Sequence, residues 1–385
     1  MQTIYLDYNA TTPLRSEALA AMLPYVSAHF GNPSSVHWAG RRAKQGLEEA
    51  REQVAALLNA RPAEVLFTSG GTESNNLALH GTLGAARSHR KGTHVITTAI
   101  EHASVLEPLR ALAGAGCALT VVPVNHEGRV SVDDLLGALR PETALVSISL
   151  ANHEIGAIQP IAALSRVTRE HGVLLHVDAV QAAGKLPLDV KSLGVDLLSL
   201  SAHKLYGPKG MGALYVRKGT ELAPLLSGGP QEREKRPGTE NVAAAVGFGV
   251  AAALAMQELE SNAAHYLKLT TRLWAGIRER IPHVSLNSPE HGRLANTLNL
   301  GFAGATGEGL MMGLDLAGIA VSTGSACAAG SLEPSHVLLA LGRDAAAAKS
   351  AVRFSVGKNT TEQEIDRALA VLPGIVERVR AAAQR

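Results

Sequence analysis

Short apolar runs alternate with amphipathic stretches between residues 65 and 216, and this alternation constrains the fold more than any other feature of the chain. The sequence predicts strands at 65–68, 93–98, 118–122, 144–150, 173–178, 195–201 and 212–216. Helical stretches lie among them at 103–114, 132–140 and 160–171. Strands and helices in alternation are typical of a mostly parallel sheet flanked by helices. The chain is therefore expected to have an α/β fold.

The sequence changes character after this region. A long Ala-rich helix is predicted at about 241–280, with a bend, and it leads to strands near 296–301 and 351–356 and a last helix at 361–382. A short strand at 4–8 and helices at 15–30 and 40–59 precede the alternating region. We expect a large domain formed by residues 15–254 and a small α+β domain formed by residues 1–14 and 255–385.

Composition excludes several classes of protein. The 385 residues carry a formal net charge of +2 with dispersed basic residues, which argues against a nucleic-acid-binding face. No window approaches the ~20 apolar residues of a membrane span, and the first residues do not resemble a signal peptide. Two cysteines cannot form a disulfide framework and suit a reducing compartment. We therefore expect a cytoplasmic protein.

Three polar stretches follow predicted strands, where open α/β sheets place their chemistry. Lys204 lies in a Gly/Pro-rich turn after strand 195–201, Asp178 ends strand 173–178, and residues 69–73 (Ser-Gly-Gly-Thr-Glu) connect a strand to a helix. Taken singly, Lys204 could be an exposed loop residue, Asp178 a helix N-cap, and residues 69–73 an ordinary helix start. Together they match what pyridoxal 5′-phosphate requires: a Schiff-base lysine, a carboxylate for the pyridine nitrogen, and a phosphate cradle at a helix N-terminus.

Further candidates carry either a functional or a structural interpretation. His102 follows strand 93–98 and could equally satisfy local hydrogen bonds. Arg353 interrupts a short strand and suits either carboxylate recognition or a structural ion pair. Cys327 has only small neighbours and is expected to be exposed, whereas Cys117 enters an apolar strand and is expected to be inert core.

These motifs resemble those of the cysteine desulfurases of the class V aminotransferase family, almost from end to end. The matching stretches are residues 5–13, 67–74, 176–179, 203–210, 236–239 and 324–327. The cysteine loop, with residues 331–335, resembles the group with the longer, mobile loop. The resemblance implies a fold type I pyridoxal-phosphate enzyme, with a mostly parallel seven-stranded sheet in its large domain, that removes sulfur from L-cysteine and leaves L-alanine.

The resemblance also implies roles for single residues. Lys204 would bind the cofactor covalently and act with His102 and Cys327 in catalysis, while Arg353 would grip the substrate carboxylate. The residues that would bind the cofactor are Gly71, Thr72, His102, His153, Asp178, Gln181, Ser201, His203, Lys204 and Thr239. Of these, Thr239 would reach the phosphate of the partner subunit, so a homodimer is implied. His153 stands where the family usually has Asn.

Partners and alternatives follow from the same resemblance. Sulfur on Cys327 would pass to an acceptor protein, either an iron–sulfur scaffold or a tRNA-thiolation enzyme, and no metal is expected in the cofactor site beyond a transient iron–sulfur contact at Cys327. No direct contact with nucleic acid or membrane is expected. A selenocysteine lyase or another class V aminotransferase would share the lysine and aspartate. An inactive iron–sulfur assembly scaffold is the non-enzymatic alternative.

Overall fold

A computed structural model describes residues 3–88, 92–324 and 333–383. Its strands are β1 (Ile4–Tyr5), β2 (Val65–Thr68), β3 (His94–Thr98), β4 (Ala118–Val122), β5 (Thr143–Ser149), β6 (Leu174–Asp178), β7 (Leu197–Ser201), β8 (Gly212–Val216), β9 (Val284–Leu286), β10 (Thr297–Phe302), β11 (Ile319–Ala320) and β12 (Ala351–Ser355). Its helices are α1 (Ser16–Val26), α2 (Trp38–Leu57), α3 (Gly71–Ser88), α4 (Ala103–Gly114), α5 (Val132–Ala138), α6 (Ile161–Glu170), α7 (Val190–Leu193), α8 (Val242–Gln257), α9 (Leu259–Arg280), α10 (Gly307–Leu316), α11 (His336–Ala340), α12 (Ala345–Lys349) and α13 (Glu362–Ala383).

The large sheet has seven strands in the order β2-β8-β7-β6-β5-β3-β4. Strands β3 to β7 run parallel, and β8 is antiparallel to both of its neighbours. The strands are almost entirely buried because helices cover both faces, as the near-continuous apolar runs indicate. The predicted mostly parallel, seven-stranded fold is confirmed, and the carboxyl ends of β3, β5, β6 and β7 form one edge of the sheet.

A second core surrounds a smaller, antiparallel sheet with the order β12-β10-β9. Its apolar side chains come from both ends of the chain, since Ile4 and Leu6 pack in one cluster with residues such as Phe302, Phe354 and Ile365. Helices α9, α10 and α13 cover this sheet with Leu and Ile side chains on their inner faces.

The N-terminal segment connects the two sheets. Strand β1 pairs in parallel with β11, and the next residues bridge to Ser355 at the end of β12. Further along, the backbone N–H of Thr12 donates to the carbonyl of His203 at 3.0 Å, just after β7. Residues 6–12 therefore lie between the small sheet and the carboxyl edge of the large one.

The regular elements agree with the strand and helix positions predicted from sequence, to within a few residues. The predicted bend in the long Ala-rich helix is real, because α8 and α9 are inclined by 72°. No described helix is by itself long and apolar enough to cross a membrane, and α8 and α9 pass that test only as a bent pair. The sequence did not predict β9, β11, α10 or the short helices α7, α11 and α12. Apart from α10, these elements have too few residues to show a period.

Candidate active site

One cleft opens at the carboxyl edge of the large sheet, with an empty volume of about 790 Å³. Its lining contains nearly every residue predicted to bind cofactor or substrate: Gly71, Thr72, His102, His153, Asp178, Gln181, Ser201, His203, Lys204 and Arg353. The strand-end positions of these residues explain why residues distant in sequence meet here.

The phosphate side of the cleft is formed by the first turn of α3. Gly71 begins this helix, and a Cβ there would lie 2.7 Å from Val180 Cγ2 and 3.4 Å from Ser201 Cβ. The backbone therefore approaches the floor of the cleft as closely as only glycine allows. Thr72 and Ser201 add hydroxyls at the same end of the cleft. Free N–H groups at a helix N-terminus, together with hydroxyls, suit a phosphate.

Asp178 ends β6 with its carboxylate buried and held on both oxygens. Oδ1 accepts from the backbone N–H of Val180 at 2.9 Å, and Oδ2 accepts from Asn75 Nδ2 at 2.7 Å. Asn75 lies one turn after Gly71 on α3 and donates also to Ser104 Oγ at 2.9 Å. A single buried amide thus orients both the carboxylate and the start of α4.

His102 is the N-cap of α4, and this fixes its tautomer. The backbone N–H of Ser104 donates to His102 Nδ1 at 3.0 Å, and Ser104 Oγ lies 2.8 Å from the same nitrogen. Because Nδ1 accepts, the neutral ring carries its proton on Nε2. Burial lowers the pKa of His102, with Asp178 acting in the opposite direction. The ring is therefore a neutral Nε2–H donor near neutral pH.

His153 packs edge-on against His102, with ring centroids 5.1 Å apart and planes at 82°. Its Nε2 is buried, has no hydrogen-bond partner among the described residues, and lies 3.6 Å from Glu154 Oε1. Burial holds the pKa of His153 well below its usual value. His153 therefore adds a second neutral imidazole to the cleft.

Lys204 ends the short 3-10 turn after β7, as the sequence predicted. Its Nζ donates to the backbone carbonyl oxygens of Asn9 and, at 2.9 Å, of Ala10. The neighbouring His203 places Nδ1 3.0 Å from Thr11 Oγ1, and burial lowers the pKa of this imidazole to about 4. The N-terminal segment thus holds the ammonium group at the edge of the cleft.

Arg353 lies in the middle of β12 and is 1% exposed. Its Nη2 donates to Asp7 Oδ1 at 2.7 Å, and its Nη1 donates to the backbone carbonyl of His153 at 3.0 Å. The structural ion pair that the sequence left open is therefore present, while the same guanidinium lines the cleft. Its role toward a substrate carboxylate stays a prediction.

Among the described residues, one predicted site residue does not line the cleft of its own chain. Thr239 is exposed and lines a separate cavity with Phe67, Arg236 and Asn241. Cys327 lies outside the described residues, so the predictions made for it stay predictions. The other cysteine, Cys117, is buried, as expected, with Arg87 Nη2 3.0 Å from its sulfur. In the described part of the chain, no group of three or more His, Cys, Asp or Glu residues could hold a metal ion.

Sequence reasoning missed several residues of the cleft. They are Asn9, Ala10, Asn75, Ser104, Ser149, Ala151 and Val180. A signal existed for Asn75, because it follows Gly71 by four residues and therefore lies on the same face of α3. No local signal marks Asn9 or Ala10, whose role comes from the path of the N-terminal segment.

The residues of the cleft fit pyridoxal 5′-phosphate. A close backbone approach at Gly71 suits its phosphate, a doubly held carboxylate at Asp178 suits its pyridine nitrogen, and Lys204 suits its aldehyde. The buried oxygens Asn75 Oδ1 and Ser149 Oγ have no partner among the described residues. This donor set on the carboxyl edge of a mostly parallel sheet defines a fold type I pyridoxal-phosphate enzyme.

The comparisons with known proteins give the particular family. The family model described as aminotransferase class-V matches residues 4–368, and the chain belongs to this family. It is 48% identical over 377 residues to the cysteine desulfurase IscS of Dictyoglomus turgidum, covering 98% of this chain and 95% of the relative. A cysteine desulfurase IscS of Methanosarcina thermophila is 47% identical over 379 residues, covering 98% and 93%. The solved structure of a NifS-like protein superimposes with a TM-score of 0.91 at 39% identity, covering 98% of this chain and 100% of that one.

Proposed function

We propose that this chain is a pyridoxal-phosphate-dependent cysteine desulfurase, which converts L-cysteine to L-alanine and retains the sulfur as a persulfide on Cys327. The observation that carries the proposal is the single cleft that gathers Lys204, Asp178, His102 and Arg353. The full-length similarity to relatives named cysteine desulfurases supports this choice within the family.

The first turn of α3, with Thr72, Ser201 and His203, would hold the phosphate of the cofactor, and Asp178 would hold its pyridine nitrogen. Gln181 would bind the ring oxygen, and His102 and His153 would contact the cofactor. When bound, the cofactor withdraws electrons from the Cα of the amino-acid substrate. The remaining tasks are to bind the carboxylate, to move protons and to accept sulfur.

Lys204 removes the Cα proton as general base. Its Nζ lies between the carbonyl oxygens of Asn9 and Ala10, which accept its hydrogen bonds and keep the amine at the edge of the cleft. Carbonyl acceptors hold the amine in position without the charge that a carboxylate would add. The amine of Lys204 is therefore kept at the edge of the cleft throughout the reaction.

His102 donates a hydrogen bond from Nε2, because the N-cap hydrogen bonds reserve Nδ1 as an acceptor. Burial keeps the ring neutral near neutral pH, so Nε2–H serves as a hydrogen-bond donor toward the reacting groups in the cleft. Arg353 orients the substrate carboxylate through its planar guanidinium, which Asp7 already fixes in the cleft wall.

Sulfur transfer needs the thiolate of Cys327. The thiolate sulfur attacks the substrate sulfur, an S–S bond forms and the C–S bond breaks. The released electron pair passes to the substrate carbon skeleton, which takes up protons and leaves as alanine. The terminal persulfide sulfur then moves to an acceptor protein, an iron–sulfur scaffold or a tRNA-thiolation enzyme, with a transient iron–sulfur contact at Cys327. The sequence of residues 331–335 supports placing the chain in the group with the longer cysteine loop.

The protein acts as a cytoplasmic homodimer, in which Thr239 completes the phosphate site of the partner subunit. Exposed large apolar side chains occur in consecutive segments around α1 and the start of α2, and they support an interface there. These side chains are Leu19, Leu23, Val26, Phe30, Val36 and Trp38. The two cores support a division into a large domain of residues 15–254 and a small domain of residues 1–14 and 255–385.

Purified protein, loaded with pyridoxal phosphate, tests this function when it is given L-cysteine and a reductant. We expect a visible absorbance band from the lysine-linked cofactor, and alanine and sulfide in equal amounts. Cys327→Ser is expected to keep the band and its response to L-cysteine but to release no sulfide, whereas Cys117→Ser serves as the matched cysteine control.

Other outcomes would overturn the proposal. Turnover of L-selenocysteine but not L-cysteine would identify a selenocysteine lyase, and transamination without sulfide would identify another class V aminotransferase. Absence of the band after loading with cofactor would leave only the inactive scaffold.

A further inference from the structure

A second lysine, Lys185, lies close behind the first. It is half-buried, just past the turn that follows β6, and its Nζ donates to Gln181 Oε1 at 3.0 Å. In residues 3–88, 92–324 and 333–383, no carboxylate pairs with Lys185. Lys185 and Lys204 both line a small cavity on the side of Lys204 away from the phosphate cradle.

The two lysines are connected through one amide and one carbonyl. Gln181 Nε2 donates to the backbone oxygen of Asn9 at 2.9 Å, and the same oxygen accepts from Lys204 Nζ. Hydrogen bonds thus connect Lys185 with Lys204 through the Gln181 side chain and the backbone of Asn9. Gln181 is 6% exposed and lines the cleft, so burial restricts its amide to few orientations.

Lys185 and the carbonyl of Asn9 together decide which end of the Gln181 amide faces the cleft. The protonated form of Lys185 has three donors and no acceptor, so it can bond only the oxygen of the amide. The reversed amide would place its NH₂ group against the ammonium and its oxygen against the carbonyl of Asn9, losing both hydrogen bonds. A buried polar group without a partner costs roughly 1–3 kcal/mol. The donor end of Gln181 therefore points to Asn9 and the cleft.

The environment of Lys185 is costly for a charged group. Burial lowers its pKa to about 7, and the positive charges of Lys204 and Arg353 act in the same direction. If Lys185 served packing alone, an apolar residue of similar volume would fill the same space without the cost of a charge near Lys204 and Arg353. Groups in such an environment are found disproportionately at functional sites.

We propose that Lys185 is a positioning residue for the cofactor site: it binds Gln181 Oε1 and thereby turns the Gln181 N–H₂ group toward the cofactor's ring oxygen. The inference rests on the proposed function, because it assigns to Gln181 a donor role toward pyridoxal phosphate. It adds a residue that touches neither cofactor nor substrate.

The test is a double-mutant cycle read by the affinity of the apoprotein for pyridoxal phosphate, measured by equilibrium dialysis. Lys185→Met keeps the length of the side chain and removes its donors. It is expected to weaken the binding of pyridoxal phosphate about tenfold, which corresponds to the loss of one hydrogen bond to a charged or oriented group. In the Gln181→Ala background, Lys185→Met is expected to change affinity less than about twofold. Lys191→Met, at an exposed position on α7, is the matched control and is expected to leave affinity unchanged.

Lys185→Arg supplies rescue, since a guanidinium keeps a charged donor beside Gln181, and its affinity is expected to stay within about threefold of the wild type. If Lys185→Met does not fold, Lys185→Leu, which also lacks a donor, takes its place in the same cycle. An equal loss in both backgrounds, or no loss in the wild-type background, would overturn the positioning role. Failure of the wild-type protein to bind the cofactor or release sulfide would instead overturn the proposed function, so the two failures are distinguishable.

Discussion

The two walls of the cleft are built in different ways. On the wall formed by the large sheet, Gly71, Asp178 and Lys204 each lie at the end of a strand or a few residues beyond it, so the strands fix their positions. On the opposite wall, Arg353 lies in the middle of a strand and is held by Asp7, which is 346 residues away in sequence. The strand ends of the large sheet therefore position the residues of the first wall that are proposed to carry the chemistry. The second wall depends on the contact of the two ends of the chain and contributes orientation and stability.

The largest effect should come from the first wall. Lys204→Ala removes the general base and the group that links the cofactor, so turnover should fall by at least about 10³-fold. The free energy of unfolding should change little, because the hydrogen bonds of Nζ to Asn9 and Ala10 lie at the edge of the cleft. Alanine and sulfide release and a urea titration measure the two quantities. Activity above about a tenth of wild type would contradict the role of the local wall.

Arg353→Met tests the second wall through stability. The substitution leaves Asp7 without its cationic partner, and breaking a buried ion pair typically costs about 3–5 kcal/mol. Asp7 is partly exposed, so we expect about 3 kcal/mol, measured by denaturant unfolding of the apoprotein. The double variant Asp7→Asn with Arg353→Met should recover part of this loss. If Arg353→Met lowered only turnover and left stability unchanged, the contrast between the walls would fail.

Glu101 provides a pH test behind the first wall. Burial raises the pKa of this carboxyl to about 7, although Thr98 and the N–H of Ser149 donate to it. Between its unfolded pKa of about 4.3 and 7 the folded protein binds more protons than the unfolded chain, so stability falls as pH rises through this window. Glu101→Gln keeps the shape without the charge.

The difference in unfolding free energy between Glu101→Gln and wild type should therefore grow in favour of the variant from pH 5 to pH 8, by about 2 kcal/mol. Taking the difference cancels groups such as His176, whose pKa burial lowers to about 3. Urea titrations at several pH values provide the measurement. A difference that is independent of pH would show that Glu101 is ionised in the folded protein at all these values.

The smallest expected effect sharpens the description of the first wall. Asn75→Ala removes the donor to Asp178 and Ser104, so the affinity for pyridoxal phosphate should fall about tenfold. Asn76→Ala is the control, because Asn76 is the next residue on α3 and its amide donates to the carbonyl of Thr72. Equal affinities of the two variants would mean that Asp178 needs no support from Asn75.

What the sequence could predict follows the same division. Lys204, Asp178 and His102 were predictable because a strand end places its next residue at a known edge of the sheet. Asn9 was not, since nothing in its neighbours shows that the backbone will pass between two sheets. Arg353 was predictable as a charged residue in a strand, but its partner Asp7 was not, because pairing between chain ends leaves no local pattern. Lys185 shows no pattern either, since its effect passes through Gln181.

The position of the N-terminal segment also sets a schedule for making the enzyme. Residues 6–12 leave the ribosome long before β11 and β12, with which they form hydrogen bonds. At about 5–20 residues per second, the segment waits roughly 20–70 s for these partners. Lys204 and Gln181 also emerge before β11 and β12. A newborn chain therefore gains both walls of the cleft only after β12 has been made, which delays reactive chemistry until then.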